Sequence, residues 1–314
     1  MTDSGHICDL CGGNEFKTIG ERDRHGKPLT TGLCLHCGMV AHLPLPTEAE
    51  IAEYYARDYR QDYHGERVPN PRRVMRAWNN GERIVAQLAP HLTEGSSIFE
   101  IGAGIGCTVK AFETHGYPAS GIEPNKDFNA YTHEKIHANV DNVNLYDLPV
   151  RPVADTIILI HVIEHFISPT RALSRIHELL PDNGLFYVEC PNIAAPFATF
   201  GRLFHFAHTY NFTPDTLVAL AQKCGFELVK NFNADDHPDI QMLFRKSTPS
   251  APNFAEDAAT RVEHAIHRFN GITYHLRPSY LTRRVAKLLS YAKEAICAGN
   301  FVKRLHARLS ATGQ

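Results

Sequence analysis

The sequence lacks a long hydrophobic run, a hydrophobic leader and an excess of charge of either sign. No stretch of its 314 residues reaches the ~18 apolar residues that a membrane-spanning helix needs, so we expect none. The first residues carry neither the basic nor the apolar segment of a secretory signal, which predicts a cytoplasmic protein. With 32 Lys and Arg against 34 Asp and Glu, the net charge of −2 disfavours a generally basic nucleic-acid-binding protein.

The near-neutral total hides an uneven distribution of charge. Residues 261–314 carry ten Lys or Arg and two Asp or Glu, whereas the first 260 residues carry 22 basic and 32 acidic side chains. The C-terminal segment is therefore electrostatically distinct from the rest of the chain.

Short apolar runs alternate with helical patterns over about 150 residues in the middle of the chain. The runs rich in β-branched residues predict strands at 97–101, 119–123, 138–145, 156–160, 185–189, 226–232 and 239–245. Helical patterns are found at 47–64, 72–92, 108–116, 169–180 and 213–225. This alternation predicts an α/β protein with a parallel sheet covered by helices on both faces. The short link between the last two strands indicates an antiparallel edge.

Four of the eight cysteines form two Cys-x-x-Cys pairs near the N-terminus. They are Cys8 with Cys11 and Cys34 with Cys37, and each pair is followed by glycine. Two such knuckles form a tetrahedral sulfur site suited to a structural zinc ion, because four protein ligands leave no open position. The alternative is four unrelated or redox-active cysteines.

A glycine-rich segment follows the first predicted strand of the alternating region. Gly102, Gly104 and Gly106 alternate with other residues, and Glu100 precedes the first of them by two positions. Glu123 lies at the end of the second strand, where a carboxylate can bind both ribose hydroxyls of a nucleoside. By itself, the loop fits S-adenosylmethionine (SAM), NAD or no ligand.

Together these motifs resemble class I SAM-dependent methyltransferases over about residues 90–246. The resemblance is carried by the glycine loop, by Gly-Ile-Glu-Pro at Glu123, and by His-Val-Ile-Glu-His after the fourth strand. It implies a Rossmann-like, seven-stranded sheet and a SAM cofactor. The residues implied to bind that cofactor are Glu100, Gly102, Gly104, Gly106, Glu123, Asn144, Leu145 and His161. Asp147 is a less specific candidate beside the adenine.

The pattern divides the chain into four predicted segments. These are a small zinc-binding domain at 1–45, a helical connector or cofactor lid at 46–92, the SAM-binding domain at 93–247 and a basic helical extension at 248–314.

Catalytic candidates are histidines, because imidazole is the natural base near neutral pH. His161, Glu164 and His165 follow the fourth strand, where cofactor and substrate are expected to meet. A second interpretation of the trio is a metal-binding site. For His165 the alternative to catalysis is an ordinary packing role at the start of a helix. His208 lies in an aromatic segment after the fifth strand. Its sequence context fits a catalytic role and a structural role equally well.

The N-terminal arrangement also resembles the sugar C-methyltransferases of deoxysugar biosynthesis. That resemblance implies His208 as base, His161 as a second active-site histidine, and Tyr54, Tyr55 or Tyr59 over the cofactor. The family's Tyr-x-Glu-His segment reads His-x-Ala-His here, from His205 to His208, and only about 65 residues follow the fold. O-methylation of a sugar, nucleotide-linked sugar or glycan is therefore preferred to C-methylation. An RNA methyltransferase and a non-enzymatic scaffold are the competing hypotheses.

The basic C-terminal segment carries an apolar stripe at helical spacing, from Leu281 to Ile296. Three partners fit this pattern: the fold itself or a second subunit in a homodimer, an anionic acceptor, and a membrane surface. The sequence does not choose among them.

Overall fold

Two β-sheets organise the chain in a computed structural model, which describes residues 6–57, 69–195, 198–234 and 236–312. Within these ranges the strands are β1 (Phe16–Arg22), β2 (Pro28–Cys34), β3 (Val40–His42), β4 (Ile98–Ile101), β5 (Ala119–Ile122), β6 (Val140–Asp141), β7 (Thr156–Ile160), β8 (Leu185–Pro191), β9 (Tyr210–Asn211), β10 (Phe226–Asn231) and β11 (Asp239–Lys246). The α-helices are α1 (Glu48–Arg57), α2 (Pro71–Leu88), α3 (Cys107–Thr114), α4 (Lys126–Tyr131), α5 (Pro169–Glu178), α6 (Pro214–Lys223), α7 (Ala258–His267), α8 (Gly271–His275) and α9 (Pro278–Thr312).

The larger sheet has seven strands in the order β10-β11-β8-β7-β4-β5-β6. β4 is parallel to both β5 and β7, and β5 is parallel to β6. β11 is antiparallel to β8 and to β10, which forms the edge. The α/β class, the seven-stranded Rossmann-like sheet and the antiparallel edge are confirmed.

The central strands form where the sequence is continuously apolar. β7 coincides with its predicted bounds because Thr156–Leu159 are all buried, as in a strand covered on both faces. The strand predicted at 138–145 shrinks to the two residues of β6. Beyond β6, the side chain of Asn144 accepts a hydrogen bond from the backbone N–H of Tyr146 and caps a 3₁₀ turn, Leu145–Asp147, which takes the place of the predicted strand end.

The chain divides into two compact units. The first contains the described residues of 1–59, 161–178 and 185–277. Its four-stranded sheet, in the order β1-β2-β3-β9, was not predicted from the sequence. Leu33 and Val40 of this sheet pack in one apolar cluster with Phe204 and with α7.

The second unit contains the described residues of 60–160, 179–184 and 278–314. Its apolar core joins Trp78 of α2 and Val109 of α3 to the last turns of α9, through Val302, Leu305 and Leu309. The helical C-terminal segment is therefore confirmed.

The first half of α9 differs from its second half. Its apolar stripe is exposed: Leu281, Val285, Leu288, Leu289 and Ile296. None of the described helices combines the length and apolar character needed to cross a lipid bilayer.

Candidate active site

The residues predicted to bind the cofactor lie at one edge of the parallel strands β4, β5 and β6. Gly102 follows β4, Glu123 follows β5, and Asn144 lies three residues beyond β6. The carboxyl ends of parallel strands meet at the same edge, which is the usual ligand-binding edge of an open α/β sheet.

The glycine loop uses backbone conformations that favour glycine. Gly102, Gly104 and Gly106 have φ angles of +75°, +56° and +72°. A Cβ at Gly106 would come within 2.4 Å of Cγ2 of Thr132, whereas at Gly104 it would meet nothing within 4 Å. Gly106 thus allows close packing under the loop, and Gly104 leaves open space that a ligand can approach.

Glu123 is fixed by the loop that it faces. Its Oε2 accepts a 2.8 Å hydrogen bond from the backbone N–H of Gly104, and its Oε1 accepts a 2.7 Å bond from that of Asn125. Burial raises the pKa of this carboxyl group, and the two N–H donors oppose that rise. An ionised carboxylate accepts about four hydrogen bonds, so acceptor capacity is left for ribose hydroxyls.

Glu100 lies in β4, two residues before the first loop glycine. Its side chain is buried, and Oε2 accepts no hydrogen bond from the described residues. Burial raises the pKa of Glu100 to about 8, and a hydrogen bond from Thr108 only partly opposes this. A carboxyl group that is neutral at moderate pH therefore lies under the strand end.

The other two predicted cofactor positions take different local roles. Asn144 caps its 3₁₀ turn, and its backbone N–H donates to Oδ2 of Asp147 at 3.1 Å. Leu145 is buried within that turn. Tyr59, the remaining position, lies outside the described residues.

The second group of predicted residues is in the first unit and begins directly after β7. His161 has φ +52°, a left-handed conformation that is uncommon outside glycine. Its backbone N–H donates to the carbonyl of Glu189 at 2.8 Å, while its side chain stays 43% exposed. Such strain, held by the surrounding structure, often marks functional sites.

Two buried carboxylates flank the His161 imidazole. Nδ1 lies 3.5 Å from Oε1 of Glu164, and Nε2 lies 3.7 Å from Oε1 of Glu189. Burial would lower the pKa of His161, but Glu164, Glu189 and Asp239 together raise it to about 9. Burial likewise opposes ionisation of Glu164, and His161 with its neighbouring histidines brings the pKa of Glu164 down to about 2.

Glu189 is the member of this cluster that the sequence analysis did not select. It lies near the end of β8, and Tyr187 Oη donates to its Oε2 at 3.2 Å. An acidic side chain within an otherwise apolar strand was the signal available in the sequence.

The structure brings His165 and His208 together with Glu164. The His165 and His208 ring centroids are 5.0 Å apart, and ligand atoms of all three residues lie within 4.8 Å of one another. Burial beside neighbouring histidines holds the pKa of His208 well below its ordinary value.

The segment before His208 is anchored to α1. The backbone N–H of Ala207 donates to Nδ1 of His205 at 3.0 Å, so the proton of the neutral ring is on Nε2. That Nε2 lies 3.3 Å from the hydroxyl of Tyr54. Tyr54 is therefore part of the packing around the His205–His208 segment.

The four N-terminal cysteines converge as predicted. All four sulfur atoms lie within 4.8 Å of one another, with Cys8 and Cys37 at 3.6 Å and Cys11 and Cys34 at 3.5 Å. Zn–S bonds of about 2.3 Å place tetrahedral ligands about 3.8 Å apart, so the donor set and spacing fit zinc. Both knuckles turn through a glycine with φ +76°, Gly12 and Gly38.

The comparisons with known proteins agree with this architecture. The sequence model of a family described as a methyltransferase domain matches residues 66–231, just over half of the chain. No curated protein sequence matches the chain.

Two solved structures are similar to this chain. The 1,6-didemethyltoxoflavin-N1-methyltransferase of Burkholderia thailandensis, solved with S-adenosylhomocysteine, is 17% identical, with a TM-score of 0.51 over 74% of this chain and 99% of its own. The magnesium protoporphyrin IX methyltransferase of Synechocystis is 15% identical, with a TM-score of 0.47 over 64% of this chain and 100% of its own.

The family match confirms the expected enzyme class, a methyltransferase, and the Burkholderia enzyme shares its fold. The chain belongs to the methyltransferase domain family.

Proposed function

We propose that this methyltransferase transfers a methyl group from SAM to a hydroxyl of a sugar, nucleotide-linked sugar or glycan, with His161 as the general base. The observation that carries the proposal is the pairing of a partly exposed imidazole with two buried carboxylates, Glu164 and Glu189. An alcohol is a weak nucleophile at neutral pH, so its O-methylation benefits from a base held by carboxylates. Because the carboxylates raise the pKa of His161 to about 9, the neutral ring that accepts the proton is the minor form at neutral pH, and the rate is expected to rise with pH up to about 9.

The proposed reaction is a single displacement. The acceptor hydroxyl gives its proton to His161 while its oxygen forms a bond to the methyl carbon. The carbon–sulfur bond breaks at the same time, and its electron pair stays on sulfur, so the positive sulfonium becomes the neutral thioether of S-adenosylhomocysteine. SAM, when bound, supplies this activated methyl group.

The residues assigned to SAM are those of the parallel-strand edge. Gly104 leaves room for the backbone to approach a ligand, and Glu123 retains acceptor capacity for the ribose. Glu100 is buried in β4, two residues before the first loop glycine. Asn144 and Leu145 stay proposed neighbours of the adenine, as expected from the resemblance.

His161 is preferred to His208 as the base because of their surroundings. The His161 side chain is partly exposed and faces two carboxylates, whereas His208 packs against His165 and His205. A base has to reach the acceptor, and an exposed ring can do so without rearrangement.

The proposed zinc ion at Cys8, Cys11, Cys34 and Cys37 is structural. Four thiolate ligands complete a tetrahedral shell and leave no position for substrate. Asp9, between the first two ligands, ties this region to α5, since its carboxylate accepts from the Ser168 hydroxyl at 2.7 Å and from the Thr170 backbone N–H at 2.8 Å.

The first test is isothermal titration of the protein with SAM, S-adenosylhomocysteine and NAD. Binding of both adenosyl compounds without NAD is expected. Methyl transfer from labelled SAM is then screened over nucleotide sugars, glycans and RNA. Transfer to RNA, or to a sugar carbon, would contradict the proposed acceptor.

The second test concerns the base. His161→Asn is expected to lower kcat on the identified acceptor by about 10²–10⁴-fold with unchanged SAM affinity. The matched control is His133→Asn, an exposed histidine in the turn after α4. Full activity of His161→Asn would reject His161 as base.

A further inference from the structure

Glu164 is a buried carboxylate whose oxygen atoms lack hydrogen bonds. Its side chain is 2% exposed, and neither Oε1 nor Oε2 accepts a hydrogen bond from the described residues. The nearest basic atoms to Oε1 are Nδ1 of His161 at 3.5 Å and Nε2 of His165 at 3.9 Å. A buried carboxylate normally has close partners, because removing it from water without them is costly.

The orientation of His165 is that of a metal ligand. Its Nδ1 lies 2.7 Å from the carbonyl oxygen of Ala207, which can only accept, so Nδ1 carries a proton. In the neutral ring the lone pair is then on Nε2, the atom that faces Glu164. Metal-binding histidines characteristically donate their other N–H to a carbonyl or carboxylate in this way.

His208 is brought to the same point by a loop that is bonded to the Glu164 turn. The hydroxyl of Thr209 donates to the carbonyl of Phe166 at 2.8 Å and lies 3.1 Å from that of Glu164. The backbone N–H of His208 donates to the carbonyl of His205 at 2.9 Å. These bonds fix the loop, so His208 is held beside Glu164 and His165 rather than placed there by chance.

We propose that Glu164, His165 and His208 bind a divalent first-row transition metal ion, separate from the four-cysteine site. Two imidazoles and one carboxylate suit zinc, iron(II) or manganese(II), and three protein ligands leave coordination positions open. The ion gives the Glu164 carboxylate a closer partner than the His161 and His165 nitrogen atoms, which lie 3.5 and 3.9 Å from Oε1. The sequence motif indicates His161, Glu164 and His165 as a metal-binding trio, whereas the structure groups His208 rather than His161 with the other two.

The open positions give the ion a role in catalysis. A hydroxyl oxygen bound there becomes more acidic, since a metal ion stabilises the alkoxide. This role rests on the proposed O-methylation, whereas the metal site itself does not.

The test counts zinc in the full-length protein after equilibration with excess Zn²⁺ and removal of unbound ion. Wild type is expected to hold two equivalents per chain, and Glu164→Gln and His208→Asn one each. The matched control His264→Asn, at an exposed histidine of α7, keeps two. SAM titration and circular dichroism show whether each variant is folded. If Glu164→Gln does not fold, His208→Asn alone tests the metal site.

One zinc in wild type, or two in both ligand variants, would overturn the site. Because zinc content does not depend on methyl transfer, this result is separate from that of the proposed function. A His161→Asn protein with two zinc ions and full activity would reject the base and leave the metal site intact.

Discussion

The backbone N–H of Gly104 donates a 2.8 Å hydrogen bond to Oε2 of Glu123, and so joins the glycine loop after β4 to the carboxylate after β5. A main-chain donor fixes the carboxylate without occupying all of its acceptor positions. The loop and the ribose-binding candidate therefore form one hydrogen-bonded unit.

Glu123→Ala is expected to weaken SAM binding by about 10–100-fold, since a hydrogen bond to a charged group contributes about 1.5–3 kcal/mol. Isothermal titration measures the effect, and thermal unfolding checks that the loop is intact. Glu134→Ala, an exposed glutamate, is the control. Equal affinity in the Glu123 and Glu134 variants would remove Glu123 from the cofactor site.

Gly106→Ala and Gly116→Ala separate backbone strain from steric conflict. Both glycines have positive φ, +72° and +85°, so each substitution costs about 1–2 kcal/mol through the backbone. Only at Gly106 does the new Cβ meet a neighbour, Cγ2 of Thr132 at 2.4 Å. Urea unfolding should show the larger loss of stability for Gly106→Ala, and equal losses would contradict the close packing.

Glu100 makes stability depend on pH. Its pKa is raised to about 8 in the folded protein, so the unfolded chain loses this proton at a lower pH. The stabilisation is present in full below about pH 4.5 and is lost as the pH rises towards 8, by roughly 3–5 kcal/mol at about 1.4 kcal/mol per pKa unit.

Glu100→Gln should therefore flatten the pH dependence. Denaturant unfolding at pH 5 and pH 9 is the measurement, with the exposed Glu94→Gln as control. The free energy of unfolding should fall less between these pH values in Glu100→Gln than in the control. Parallel curves would show that the pKa of Glu100 is the same in the folded and the unfolded protein.

Cys37→Ser tests the four-cysteine site. The variant should lose one zinc equivalent and several kcal/mol of stability, because structural zinc contributes directly to folding. Cys297→Ser is the matched control, since Cys297 is an exposed free cysteine in α9. Zinc content and thermal unfolding are measured for both variants. An unchanged zinc content in Cys37→Ser would exclude the four-cysteine zinc site.

The sequence predicted the elements whose causes are local. β7 was placed within its true bounds because five consecutive apolar or β-branched residues have no other favourable location. The small sheet was not predicted, because β9 pairs with β3 about 170 residues earlier in the chain and neither strand has a clear alternating pattern. Long-range pairing of short strands leaves little trace in either segment.

The candidate site divides in the same way. The glycine loop and the cysteine pairs are recognisable in the sequence because their chemistry requires a fixed spacing of residues. The partnership of Glu164 with His208 is not, because 44 positions separate them and only the fold decides which histidine of the His205–His208 segment faces the carboxylate. The left-handed backbone of His161 likewise has no signature in a non-glycine residue.

The two halves of α9 have a practical consequence for making the protein. Its 35 residues carry an exposed apolar stripe first and a buried anchor last, where Leu305 and Leu309 pack in the core with Trp78. Shortening the chain from its C-terminus would remove the anchor before the stripe and open the core. Better behaviour in concentrated solution should therefore come from charged substitutions at Leu288 and Leu289, not from truncation.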